Sequence, residues 1–214
     1  AASMGVRADT PLLSRFAMPV GEDQGSVRPS VLHNGDFSQP AAQGVMPDQW
    51  QFSSDSPQAT CTRDAEGTDG KPALLLTLSG YGGKDHASVM LAQHDVAVKE
   101  GQWYRISLRA KAEGMAGKPV TLAINDTQTW TSYIDYQSFK PAKDWRTFEF
   151  LVQSSGSAAS KTRFQIWHGN IGKLWLADII MTPVAPPSAE GRWSQGLYLD
   201  QPEQWDDPYR FFRW

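Results

Sequence analysis

Cysteine is nearly missing from this chain. Cys61 is the one cysteine in 214 residues, which excludes an intramolecular disulfide and a cysteine-based zinc site and is compatible with either cytoplasm or a bacterial periplasm. Long apolar runs are missing too: without about 18 consecutive apolar residues, no bilayer-spanning helix is expected. Positive charge is neither abundant nor clustered. Twenty Lys and Arg stand against 23 Asp and Glu, a net charge of −3, so the electrostatic footprint of a nucleic-acid binder is absent. The four histidines, His33, His86, His94 and His168, fall at no metal-ligand spacing, and no Gly-x-Ser-x-Gly elbow occurs, so zinc chemistry and hydrolytic triads lack support. Helical periodicity is scarce, with short candidates only at 11–16 and 202–211. The start, Ala1-Ala2-Ser3-Met4-Gly5, lacks the basic and then apolar regions of a signal peptide, as expected of a segment cut from a longer protein.

Aromatic residues are plentiful: nine Trp, nine Phe and six Tyr. All-β cores and sugar-binding surfaces both use such residues. Tyr104, Ile106, Leu108 and Ala110 alternate with Arg105, Ser107, Arg109 and Lys111, the period of two of a half-buried strand. Further strands are predicted at 31–37, 50–52, 73–78, 88–98, 103–112, 120–125, 147–152, 162–167 and 174–182, separated by Gly, Pro, Asp and Ser. Short strands so punctuated predict an all-β fold, an antiparallel β-sandwich or jelly roll, with extended N- and C-terminal segments. Residues 1–30 read as an extended lead-in and 31–182 as the sandwich. Residues 183–214 read as a Pro-rich linker and a tail carrying Trp193, Tyr198, Trp205, Tyr209, Phe211, Phe212 and Trp214, which should pack on the sandwich, on a neighbouring domain or on a partner.

The order Asn34-Gly35-Asp36-Phe37, then Trp50, then 101–112 from Gly101-Gln102-Trp103-Tyr104, then Asp144-Trp145-Arg146-Thr147-Phe148, then Leu174-Trp175-Leu176-Ala177-Asp178-Ile179 resembles carbohydrate-binding modules of families 4, 9, 16 and 22, with their galactose-binding-like jelly roll. The resemblance covers residues 31–182. It implies two facing antiparallel sheets, a polysaccharide or oligosaccharide bound on one sheet or its edge loops, and a structural calcium ion far from the sugar. The family's opening motif usually continues with Glu, where this chain has Ser38, and its closing motif usually carries paired acids, where this chain has Ala177 before Asp178. Asp36 and Asp178 are the candidate calcium anchors; the alternatives are a turn residue and a carboxylate serving a backbone amide. The resemblance also implies an extracellular or periplasmic location and an adjacent domain in the same parent protein.

Sugar recognition needs flat aromatic faces and planar polar groups. Outward positions at 103–112 and 162–167 would place Arg105, Arg109, Gln165 and Trp167 on one concave surface if those strands are neighbours. Otherwise Trp167 covers a second sheet or the tail and the arginines are solvated. The loop 125–136 is a second candidate, with Asn125, Trp130 and Tyr133 as ligand-facing groups, although Trp130 to Tyr136 would also read as one more strand. Trp50, Trp145 and Trp175 read as core or sheet-edge residues.

The expected function is therefore a non-catalytic carbohydrate-binding module. The alternatives are an interaction domain docking a neighbour or membrane partner through the aromatic tail, and a jelly-roll polysaccharide lyase using Gln165, His168 and Tyr133 or Tyr136. His168 follows Trp167, so the period of two turns it inward. A glycosidase would need two carboxylates across a cleft, and Asp126 with Asp135 is the only pair the loop offers.

Overall fold

Alternation of apolar and polar side chains decides which way each long strand faces. In β5 (Trp103–Glu113) every second residue from Tyr104 to Ala112 is buried and the residues between are half-buried. Nine more strands surround it: β1 (Trp50–Ser54), β2 (Ala59–Thr68), β3 (Lys71–Leu78), β4 (Val89–His94), β6 (Val120–Asp126), β7 (Gln137–Phe139), β8 (Arg146–Gln153), β9 (Thr162–His168) and β10 (Gly172–Val184). They form two five-stranded sheets, β1-β4-β9-β6-β7 and β2-β3-β10-β5-β8, antiparallel throughout. This computed structural model describes residues 29–40 and 46–187, of which those up to Val184 fall in one compact unit.

The core lies between the sheets. Leu74, Leu76, Ile106, Leu108, Leu122, Ile124, Phe164, Ile166 and Leu176 are fully buried there, each contributing about 1.5–3 kcal/mol by leaving water. Trp50 packs edge-on against Phe37 at 5.4 Å and Phe164 at 6.2 Å between ring centroids, and its Nε1 donates to the carbonyls of Asn34 and His33 at 2.9 and 3.2 Å.

Several expectations change. The segment 31–37 is a series of bends and a turn rather than a strand, because Asn34 and Phe37 take left-handed φ of 48° and 55° and Gly35 passes hard against β10. A Cβ on Gly35 would lie 1.8 Å from the Ile179 carbonyl oxygen. Strands β2 and β7 escaped the sequence reading. The first is joined to β3 through Asp69-Gly70, at φ 51° and 72°, the backbone that an Asp-Gly hairpin favours. Pro183 and Val184, expected in a linker, belong to β10 and pair with Tyr104 and Trp103. The lead-in up to residue 28, the tail from residue 188 and both short helical candidates lie outside the described residues.

His168 ends β9 facing inward and is 3% exposed. Its Nδ1 accepts the Asn170 amide at 3.2 Å, while Nε2 has no hydrogen-bond partner among the described residues. Burial pushes its pKa down from 6.5 to about 4.

Two outcomes follow from this packing. Gly35→Ala should cost about 3 kcal/mol and lower Tm by roughly 6–12 °C, and an unchanged melt would contradict the close approach to Ile179. The unfolded His168 imidazole takes up a proton that the folded one refuses between pH 6.5 and about 4. Its contribution is therefore full above pH 6.5 and is lost on acidification, up to about 3 kcal/mol. Urea titrations at pH 7 and 4.5 should show wild type losing that much more stability than His168→Leu.

Candidate binding face

Strand β9 is central in its sheet, with β4 on one side and β6 on the other. Phe164 and Ile166 point into the core, so Arg163, Gln165 and Trp167 point out. Cross-strand register then builds three rows. His94, Arg163 and Asn125 form one; Ala92, Gln165 and Ala123 the next; Met90, Trp167 and Thr121 the third. The two alanines add almost no bulk, so the middle row is a low floor between larger groups. Arg163 and Trp167 are separated by about 13 Å of extended strand, more than the width of one pyranose ring. Ser53, Ser54, Asp55, Ser88, Met90, Arg163, Gln165 and Trp167 line a depression of about 420 Å³ on this face.

A chain of side-chain hydrogen bonds fixes the polar groups. Arg163 Nε donates to Gln165 Oε1 at 2.6 Å, Gln165 Nε2 donates to Asn125 Oδ1 at 2.9 Å, and Asn125 Nδ2 donates to the Trp130 carbonyl at 3.3 Å and the Tyr136 hydroxyl at 3.4 Å. Asn125 and Gln165 are buried, at 2% and 7% exposure, so much of their hydrogen bonding holds neighbours in place.

The loop after β6 delivers two large aromatic side chains to the same face. Trp130 is 59% exposed and sits at φ 62°, a left-handed conformation that strains a bulky residue by about 1–3 kcal/mol. The loop is held tightly all the same. Trp130 N donates to the Asp126 carbonyl at 3.1 Å, Asp126 N to the Thr131 carbonyl at 2.8 Å and Tyr133 N to the Ile124 carbonyl at 2.8 Å. Asp126 Oδ1 accepts the amides of Gln128 and Thr129, both at 2.7 Å; the Thr129 and Gln128 bonds hold its carboxyl below the usual range. Arg163 lies over the Trp130 ring, with Cζ 5.0 Å from the centroid. Tyr136, also 59% exposed, meets Trp167 edge to face at 5.6 Å.

The expected grouping is split by the strand order. Gln165, Trp167, Asn125 and Trp130 come together, but Arg105 and Arg109 lie on β5, in the other sheet. They face out from its opposite side because β5 is flanked by β10 and β8, never by β9. There Arg109 pairs with Asp69 and, at 3.9 Å, with Asp178. Tyr133 is half-buried and donates its hydroxyl to Asp126 Oδ2 at 3.2 Å; burial and then the Asp126 carboxylate raise its pKa. The lyase constellation is likewise dispersed, since His168 faces the core while Trp167 faces out. Arg163 and Tyr136 join this face, although neither stands among the sugar-facing residues expected from the sequence. The alternation that exposed Gln165 and Trp167 also exposed Arg163.

Trp145 and Trp175, read as core or sheet-edge residues, stand half-buried on the outer face of the second sheet with the Lys111 ammonium between their rings, 5.2 and 4.8 Å from the centroids. Trp175 Nε1 donates to Asp64 at 3.2 Å.

Asp36 and Asp178 do not fit a calcium site. Their segments meet through Ile179 N donating to the Gly35 carbonyl at 2.9 Å. Asp36 Oδ1, however, accepts Ser38 N and Oγ at 3.2 and 2.9 Å, and Asp178 faces the Lys71 ammonium at 3.3 Å and the Arg109 guanidinium. Resident cations repel a second one, and the described residues contain no cluster of three or more acidic, His or Cys ligands.

Comparison with known proteins agrees with this architecture. No curated protein matches the chain. A solved structure described as "CBM4 structure and function" is similar at 14% identity and TM-score 0.50, over 65% of this chain and 97% of its own. The arabinose-bound α-L-arabinofuranosidase MgGH51 is similar at 14% identity and TM-score 0.55, over 81% of this chain and 29% of its own. The enzymatically active domain of tailspike protein 4 from bacteriophage CBA120 is similar at 12% identity and TM-score 0.54, over 72% of this chain and 21% of its own. These likenesses show a shared β-sandwich fold of jelly-roll type. The carbohydrate binding domain model CBM_4_9 matches residues 29–173, which span β1 to β9 and the face around β9, and the chain therefore belongs to that family of carbohydrate binding domains.

Proposed function

We propose that the chain acts as a non-catalytic module that holds a polysaccharide on the outer face of β4, β9 and β6. The observation that carries this reading is Trp130. A large apolar ring is held in water on a strained backbone by a loop whose other hydrogen bonds are well satisfied. Such an arrangement costs stability and contributes nothing to the core. Trp167 with Tyr136 supplies a second aromatic platform, and Gln165 floors the space between them. Flat rings stack on the apolar faces of sugar rings while the amide and guanidinium groups meet hydroxyls. Asn125 acts as a positioning residue through its bonds to Trp130 and Tyr136.

The chemistry of the face suits holding rather than cutting. Asp126 spends one carboxylate oxygen on two backbone amides and the other on Tyr133, leaving it poorly placed as a general acid or base. In an exported parent protein, outside the cell or in the periplasm, the module would raise the local concentration of an adjacent domain on its glycan, a gain in effective concentration.

Affinity electrophoresis across neutral and acidic polysaccharides tests the assignment. Wild type should be retarded by at least one polymer, and Trp130→Ala and Trp167→Ala should each weaken retention tenfold or more, about 1.4 kcal/mol or above. Trp130→Gly relieves the backbone strain, so it should melt no lower than wild type while binding equally poorly. Retention that survives both alanine substitutions would remove this face from the account.

A further inference from the structure

We propose that the glycan held on this face carries carboxylate groups, and that the Arg163 guanidinium is the fork that receives them. The proposal rests on the outer face of β9 being the glycan site.

The first support is rigidity. Arg163 is pinned by two contacts, the 2.6 Å bond from Nε to Gln165 and the Trp130 ring 5.0 Å from Cζ. These fix the plane of the guanidinium and leave its two Nη groups without a hydrogen bond or ion pair among the described residues. Two parallel N–H groups in a fixed plane match the two oxygens of a carboxylate.

The second is charge accounting. Among the described residues Arg109 pairs with Asp69 and Asp178, Lys71 with Asp178 and Lys173 with Glu113, while an exposed cation such as Lys118 is left to water. Arg163 has no acid partner among them, although it is partly buried and burial lowers its pKa. A partly desolvated charge with no counter-ion is costly. A ligand carboxylate removes that cost, and a hydroxyl removes little of it. Asp55, the acid that lines the same depression, sits at its far end. Its Oδ1 accepts Ser88 N at 2.6 Å, and the Ser88 bond and the Lys84 charge both favour its ionised form. Ser88 lies six residues before His94, the β4 partner of Arg163, so about 20 Å of extended chain separates the two charges and the end at Arg163 is positive.

The test compares one polymer in two charge states, de-esterified and fully methyl-esterified homogalacturonan, with alginate as a second acidic polymer and xylan and mixed-linkage β-glucan as neutral ones. Wild type should prefer the free acid to the ester at least tenfold at low salt, and the preference should shrink as NaCl is added. That comparison needs no substitution. Arg163→Gln, checked for an unchanged melt, should retain weak binding with the preference gone, and Arg163→Lys should keep part of the salt dependence while losing most of the affinity. Equal retention by acid and ester overturns the proposal, as does a preference that persists in Arg163→Gln. Retention by neutral polymers alone, still abolished by Trp167→Ala, overturns the proposal and leaves the binding face standing. No retention by any polymer overturns the face as well.

Discussion

One residue's worth of register in β9 governs what this domain can do. Side chains along a strand alternate faces, so burying Phe164 and Ile166 forces Arg163, Gln165 and Trp167 outward together. A slip by one residue would bury a guanidinium, an amide and an indole while putting two large apolar side chains in water. The core and the proposed binding face are thus specified by the same seven residues. Pairing on both sides, to β4 and β6, locks that register from each flank and extends the outward rows across three strands.

Upon that strand a second layer of order is built. The hydrogen bonds from Arg163 through Gln165 and Asn125 reach the Trp130 carbonyl and the Tyr136 hydroxyl, so a loop aromatic is positioned by groups anchored in the sheet. Preorganisation of this kind lowers the ordering cost of binding. It also explains how Trp130 stays in a left-handed conformation that few bulky residues tolerate. The second sheet shows the contrast. On its outer face Lys111 lies between Trp145 and Trp175 and Arg109 is drawn to acids. There too Lys71 and Arg109 face the Asp178 carboxylate, one of the two calcium anchors that the family resemblance suggested.

Much of this was legible in the sequence, for definite reasons. β5 alternates cleanly because one face is in the core, and in β6 and β9 the large apolar residues Val120, Leu122 and Ile124, and Phe164 and Ile166, recur at every second position for the same reason. β2 was not legible: it is an edge strand of ten largely polar residues, ATCTRDAEGT, and its pairing is fixed by β3 and the Asp69-Gly70 turn rather than by its own pattern. β7 has only three residues, too few for any period. The outward direction of Arg105 and Arg109 was also correct, yet the face they share was not. Alternation is local, whereas strand order is decided by long-range pairing, so no reading of 103–112 alone reveals that β5 and β9 belong to different sheets. The core alternative for Trp145 and Trp175 fails for a related reason. Indole reads as apolar in sequence, and only the structure shows Lys111 covering the rings.

The central claim is that the β9 face, rather than the outer face of the second sheet, receives the glycan. Indole N–H resonances of the tryptophans, each assigned by a Trp→Phe substitution, resolve the two faces in one titration with an oligosaccharide from a polymer that retards the protein. Trp130 and Trp167 should shift on saturation while Trp145 and Trp175 stay in place. Shifts at Trp145 and Trp175 with Trp130 and Trp167 unmoved would contradict the account.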